Sequence, residues 1–327
     1  MPCSKIYLVL AIMMLPYASS AGPHRLPGSD DMGQLMSQAA LVFKGIVSEV
    51  QRDGGRVQGV KVQVSKVYKG ELKDKVVDVV VESASELCAV PENGRAVLLF
   101  AKVSDGKVAI AECPRDLWPA SKKSRGKSGK AARAELEDDL RADLKDAEGK
   151  EALAAIRQLG NIKSRASAAD LKRLLDSADV DIRAGAVRSL LRLSDYSGLK
   201  FVDGLQGKKF QEWLILAEID GLISGINDKA AVPELLALTK SEHEPLVRAA
   251  ADALRAIKSP ASAQRLVELL DHPNRDIAYT AMATLDELEH GELSETPTTT
   301  VFAQAPEKYL SQWKAWWGAS GRKKYSK

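Results

Sequence analysis

Leucines recur at a near-constant interval through the second half of this 327-residue chain, and that interval narrows the folds open to it. With Leu159, Leu190, Leu222, Leu254 and Leu285 as anchors, the spacings are 31, 32, 32 and 31 residues. A period of that size marks an array of stacked units. Four residues before the anchor stand Ala155, Ala186, Ala250 and Ala281, with Glu218 breaking the series; three before stand Ile156, Val187, Ile219, Ala251 and Met282. Offsets of three and four place these side chains on one helical face. A second apolar set follows each anchor (Leu171, Leu174 and Leu175, then Val202 and Leu205, then Leu235 and Leu236, then Leu266, Leu269 and Leu270), so each unit is predicted to be a pair of helices. Asp195, Ser259-Pro260 and His272-Pro273-Asn274 supply the intervening turns and caps. The prediction for residues 135–290 is an α-solenoid.

The segments Asp181-Ile182-Arg183-Ala184-Gly185-Ala186-Val187 and Pro245-Leu246-Val247-Arg248-Ala249-Ala250 resemble HEAT-like repeats of the PBS-lyase type, over nearly half the chain. The resemblance implies a long concave face that holds another macromolecule. Arg157, Arg188, Asp220 and Arg255 lie on helix surfaces where they either meet a partner or are solvated. It does not bring an enzyme with it. Deoxyhypusine hydroxylase, a relative of this repeat, binds two irons through His-Glu pairs in successive repeats, and here only His243-Glu244 has that form. His24, His272 and His290 have no partners at ligand spacing. Nothing marks a chromophore pocket of the phycobilin-lyase kind. Gly-x-Ser-x-Gly, phosphate-loop and His-Glu-x-x-His motifs are absent from the sequence. No catalytic, cofactor-binding or metal-binding residue is predicted.

The first half has a different period. Val60-Lys61-Val62-Gln63-Val64-Ser65-Lys66-Val67-Tyr68 alternates apolar and polar residues, as a strand with one buried and one wet face does. Val42 to Val47, Val76 to Val81, Ala96 to Val103 and Lys107 to Ala111 read as further strands, with a turn at Asp105-Gly106. Five strands in about 75 residues, over residues 36–118 behind a leader at 22–35, suit a small barrel or sandwich. The run Ala40 to Val47, then Val67-Tyr68-Lys69-Gly70, Cys88, Gly94, Leu98 to Ala101, Asp105-Gly106 and Cys113 resembles the TIMP/netrin-like OB-fold module of exported bacterial proteins, which implies a five-stranded OB-like β-barrel. Animal inhibitors of that fold place an N-terminal cysteine on a protease zinc. The expected mature N-terminus here is Gly22-Pro23, with no cysteine near it, so inhibition of a hydrolase ranks last among the functions considered.

Residues 1–21 read as a cleaved signal peptide: Lys5, an apolar run from Ile6 to Tyr17, then Ala18-Ser19-Ser20-Ala21. That run has about 12 residues where a membrane span needs roughly 20, so no stable span is expected and the protein is predicted to be periplasmic or secreted. Two cysteines then remain, Cys88 and Cys113, and in an oxidising compartment they are expected to form a disulfide. Closing that loop is worth about 3.5 kcal/mol in the chain-entropy account.

Residues 119–134 are a basic, Ser/Gly-rich linker in which Lys122, Lys123 and Arg125 are candidate contacts for an anionic envelope polymer. Glu135 to Asp146 mixes carboxylates with Arg141 and Lys145, the pattern of a solvated helix face. After a Thr/Pro-rich loop at 291–306, residues 307–327 form a predicted capping helix with a basic tail. Trp313, Trp316 and Trp317 sit there at helical spacing, as a cap or as a platform for a sugar or peptide. The net charge of +3 does not call for nucleic acid. These features together predict an exported, non-catalytic scaffold whose partner is another protein, with an envelope-polymer or carbohydrate binder as the alternative.

Overall fold

The structure is a computed structural model that describes residues 32–53, 56–83, 92–111, 117–123, 126, 130–146, 149–206, 214–289 and 296–325. Cys88, Cys113 and Arg125, together with residues 1–31, lie outside the described residues.

A short helix, α1 (Met32–Gln38), leads into strands β1 (Leu41–Asp53), β2 (Arg56–Lys69), β3 (Val76–Val81), β4 (Ala96–Ser104), β5 (Lys107–Ile110) and β6 (Leu117–Pro119). The predicted leader boundary at residue 35 thus falls inside a helix, and the sheet carries one strand more than the five expected. The strand order is β1-β2-β3-β5-β4, and β4 returns to pair with β1, which closes the sheet into a five-stranded OB-like barrel with β6 added alongside β4. Closure covers the edge of β1 over Leu41–Ile46, whereas Glu49–Asp53 pair with β2 alone. All pairings are antiparallel except β3 with β5. Phe43, Val62, Val79, Leu99 and Ile110 fill the interior.

Two strands are buried on both faces. Phe43 and Leu99 point into the barrel, while Val42, Leu98 and Phe100 pack outward against helices. This is why Val42-Phe43 and Ala96 to Ala101 are continuous apolar runs; β3, wet on one side, alternates in burial though it is nearly all valine, which leaves Val76 and Val80 exposed. Gly45 is demanded by geometry: a Cβ there would lie 2.4 Å from Val62 Cγ1 and 2.5 Å from the Gln63 carbonyl oxygen.

The helices that follow fall into two sets. The long ones are α2 (Ala132–Asp146), α3 (Gly149–Asn161), α5 (Val180–Arg192), α6 (Leu214–Ser224), α8 (Glu244–Ile257) and α10 (Arg275–Leu288). The short ones are α4 (Ala168–Arg173), the 3-10 segment Tyr196–Phe201, α7 (Val232–Leu238) and α9 (Ala263–Leu269). Successive long helices pack on one another, α4, α7 and α9 each pack on the long helix that follows, and the 3-10 segment packs on α5 before it, giving the two layers of a solenoid. Asp179 and Asn274 start α5 and α10 by accepting hydrogen bonds from backbone amides two residues on, at 2.8 Å in both cases. Leu159, Leu190, Leu254 and Leu285 are completely buried, as the repeat predicts. In the third unit Ile219 and Ile223 are completely buried and Leu222 is only half-buried, so the buried position falls one residue beyond the leucine anchor.

Both ends of the stack are covered. At the first, Leu159 and Ile162 meet Leu35 and Met36 of α1, Leu136 and Leu140 of α2, and the outer barrel residues Val42 and Phe100. At the other, α11 (Thr299–Gln304), α12 (Pro306–Trp316), a π-helical turn at Trp317–Gly321 and α13 (Arg322–Tyr325) lay Phe302, Leu310, Trp313 and Trp317 over Met282 and Leu285 of α10.

Candidate functional site

The expected wet face of Glu135 to Asp146 is instead the joint between barrel and solenoid. Glu135, Asp139 and Asp143 are each at most 5% exposed. They follow one another at intervals of four residues and therefore line one side of α2. Lys44 of β1 and Lys66 of β2, equally buried, stand opposite each other in the sheet and reach this side. Lys66 Nζ lies 2.7 Å from Asp139 Oδ2 and 3.1 Å from Glu135 Oε1, and Lys44 Nζ lies 3.3 Å from Asp143 Oδ2. The Tyr68 hydroxyl donates to Asp139 Oδ2 at 2.8 Å. Burial, reinforced by that carboxylate, holds the Tyr68 phenol far above its ordinary range, so it acts here only as a donor.

A bulge makes the arrangement possible. Lys44 pairs with Lys66 but Gly45 pairs with Val64, so β2 spends an extra residue there. The phase of β2 flips, and Lys66 and Tyr68 turn outward to α2 while Val67 turns in. The basic segment is held by the same cations. Lys44 Nζ donates to the Lys123 carbonyl at 2.5 Å, Lys66 Nζ donates to the Gly126 carbonyl at 3.3 Å, and Ser121 is buried. The basic segment expected as a linker is, at Lys123 and Gly126, a strap: a buried ammonium group carries three donors, and the carboxylates leave some of them for the carbonyls. The side chains of Lys122 and Lys123 remain at the surface.

Along the long-helix layer the polar residues form rungs between units. Arg188, 3% exposed, lies with Nε 2.6 Å from Glu218 Oε2 on the next long helix, and Arg192 Nη1 lies 3.2 Å from Glu218 Oε1. The Arg188 Nε contact is ionic without hydrogen-bond alignment; its other nitrogens donate to the Asn161 side chain and the Arg157 carbonyl. This explains the break at residue 218, where the repeat has alanine elsewhere. Arg255 and Lys258 repeat the motif on Glu287, each at 2.8 Å. Burial pushes the Glu287 carboxyl up, but its bonds to Lys258 and Arg255 outweigh that and hold it below the ordinary value.

Asp220 and Asp252 hold one and the same position in consecutive units, two residues before the anchor. Burial raises both carboxyls above the usual range, against Arg248 and Arg255 in the case of Asp252. His243 precedes α8 at its cap position, and His272 Nδ1 accepts from the Asn274 amide. Among the described residues no group of three His, Cys, Asp or Glu side chains is placed to hold a metal, and no helix is long and apolar enough to cross a membrane.

The three tryptophans divide. Trp313 and Trp317 are 3% and 8% exposed, sealed into the end of the stack. Trp316 is half-buried, edge-on to Trp313 at 5.1 Å between centroids, while Tyr325 stacks on Trp317 at 6.4 Å. A ligand platform needs a free ring face, and Tyr325 takes up one of those of Trp317. The joint residues Lys44, Lys66, Tyr68, Glu135, Asp139 and Asp143 escaped the sequence reading. Their one local signal is the four-residue spacing of the carboxylates.

A family model of HEAT repeats matches residues 213–286. No curated protein matches. Among solved structures, the complex of CpcE and CpcF of phycocyanin lyase from a Nostoc species is 18% identical, over 53% of this chain and 71% of that one, with a TM-score of 0.35. An engineered protein is also 18% identical, over 55% and 97%, with a TM-score of 0.34. A designed armadillo repeat protein solved with the peptide (KR)4 is 17% identical, over 48% and 85%, with a TM-score of 0.32. The family model thus covers residues 213–286, within the two-layered helical solenoid formed by the second half of the chain.

Proposed function

We propose that this chain is an exported, non-catalytic scaffold that holds a protein partner along its layer of long helices. The observation that carries the reading is the closure of both ends of the solenoid, one by the barrel and one by the tryptophan helix. With the ends covered, a partner docks from the side, on the face that presents Arg248, Asp220 and Asp252. A cationic group brought by a partner would relieve the cost that burial imposes on these two ionised carboxylates, which favours a partner surface with cationic groups. The barrel, read as a TIMP/netrin-like module, gives the solenoid a terminal cap that is not itself a repeat.

A photo-crosslinking residue at Arg248, with one at Asp78 on the barrel as reference, tests the docking face. A discrete protein adduct at Arg248 that disappears in the Asp220→Lys, Asp252→Lys variant is expected; the same adducts from both positions would overturn the reading. Export predicts that the mature chain begins at Gly22, which N-terminal sequencing checks. The proposed Cys88–Cys113 disulfide predicts faster migration on a non-reducing gel, and two alkylatable thiols in the native protein would refute it.

The alternative is binding of an anionic envelope polymer through Lys122, Lys123 and Arg125, supported by the exposure of the first two. Binding of that kind weakens steeply with salt, whereas a protein complex with an apolar centre largely survives it.

A further inference from the structure

We propose that the buried ion cluster is an indexing device, which selects one position of α2 on the barrel and thereby fixes the angle between barrel and solenoid.

Apolar packing alone specifies that angle weakly, because the hydrophobic effect is non-directional and Val42, Phe100, Leu136 and Leu140 could slide against one another. The charges cannot slide. Lys44 and Lys66 sit opposite each other on paired strands, roughly 5 Å apart in the hydrogen-bonding direction. Successive carboxylates on α2 rise by about 6 Å per four residues. The two spacings match, so the helix lays Asp143 over Lys44 and Asp139 with Glu135 over Lys66.

A shift of α2 by one turn in one sense would put Asp139 on Lys44 and Glu135 on Lys66, and carry Asp143 past the last lysine. A shift in the other sense would carry all three carboxylates away from Lys44 and leave it facing none of them. Each alternative buries a charge without a counter-charge, which is the penalised outcome in a dry interface. Tyr68 adds a directional bond to Asp139, and the Lys123 and Gly126 carbonyls take up remaining protons of the two ammonium groups. Buried ion pairs contribute little net stability compared with apolar residues of similar volume, so their use here is to discriminate between docking positions. As a result the outer barrel surface and the long-helix face meet a partner as one preformed surface.

The experiment measures the distance between spin labels attached to ketone-bearing residues at Asp78 and Arg248 of the full chain, which leaves the cysteines untouched. The wild type is expected to give one narrow distance peak. A variant with Lys44→Met, Lys66→Met, Glu135→Leu, Asp139→Leu and Asp143→Leu is expected to keep a cooperative thermal transition while its distance distribution broadens at least about twofold. A distribution as narrow as the wild type overturns the proposal. Should that variant fail to fold, the pair Lys44→Asp and Lys44→Asp with Asp143→Lys decides: the single change is expected to broaden the peak and the reversed pair to narrow it again. A single variant with an unchanged peak, or a double variant no narrower than the single, overturns the proposal equally.

Discussion

Arg188 and Glu218 bind two successive units of the solenoid through an ionic contact of 2.6 Å, with the arginine side chain 4% and the glutamate side chain 20% exposed. Glu218 also receives Arg192, so one carboxylate compensates two guanidinium groups. Removing it leaves buried positive charge. Glu218→Ala is expected to destabilise the protein by about 3–5 kcal/mol, and thermal denaturation checks this. If Glu218→Ala melts with the wild type, the rung is a surface pair of no energetic weight.

The tryptophan cap predicts a local effect. Trp313→Ala removes a side chain in contact with the apolar end of the stack and is expected to cost about 3–5 kcal/mol. In a repeat array that loss is felt first by the neighbouring unit. Hydrogen exchange should therefore accelerate in α10 while the barrel strands keep their protection; uniform acceleration across the chain would contradict the capping role.

Gly45 gives a test of the barrel. Gly45→Ala forces a methyl group against Val62 and the Gln63 carbonyl, and is expected to destabilise by about 1–3 kcal/mol through overpacking. Gly94→Ala meets no atom within 4 Å, but its φ of 81° strains any side chain, so backbone conformation alone would account for its loss. Loss in both variants, with extra labile exchange in β1 and β2 only for Gly45→Ala, is the expected outcome.

Asp220 predicts a pH dependence of definite sign. Burial raises its folded value above the unfolded one, so the native state binds the proton more readily than the unfolded chain does. The ionised carboxylate thus costs stability in full at pH above the folded value, and the cost disappears as pH falls through that value to the ordinary aspartate range. Asp220→Asn is expected to raise the melting temperature at neutral pH, with the advantage shrinking towards pH 4. Melting curves of the two proteins across that range check it, and an advantage that grows on acidification would refute it.

The constant 31 to 32 residue period determined the solenoid from sequence alone, and strand alternation determined the barrel, because both are local: one side chain's environment repeats at a fixed offset along the chain. The tryptophan spacing likewise put three rings at one helix end. Two local readings failed at identifiable places. Glu218 looked like a defect in the repeat until Arg188 and Arg192 were found beside it. In the third unit Ile223 and not Leu222 is completely buried, since a shift of one residue is invisible to a leucine count.

The site between the domains was decided only by the tertiary structure. Lys66 and Asp139 are 73 residues apart, and nothing in the local pattern of either segment refers to the other. A run of mixed charges reads as a solvated helix face, because carboxylates leave water only when counter-charges wait for them. Those counter-charges reach α2 through a bulge in β2 that turns Lys66 outward, a change of phase by one residue that alternation cannot register. Short-range periodicity thus specified the barrel and the stack separately, and the pairing of distant charges specified how they meet.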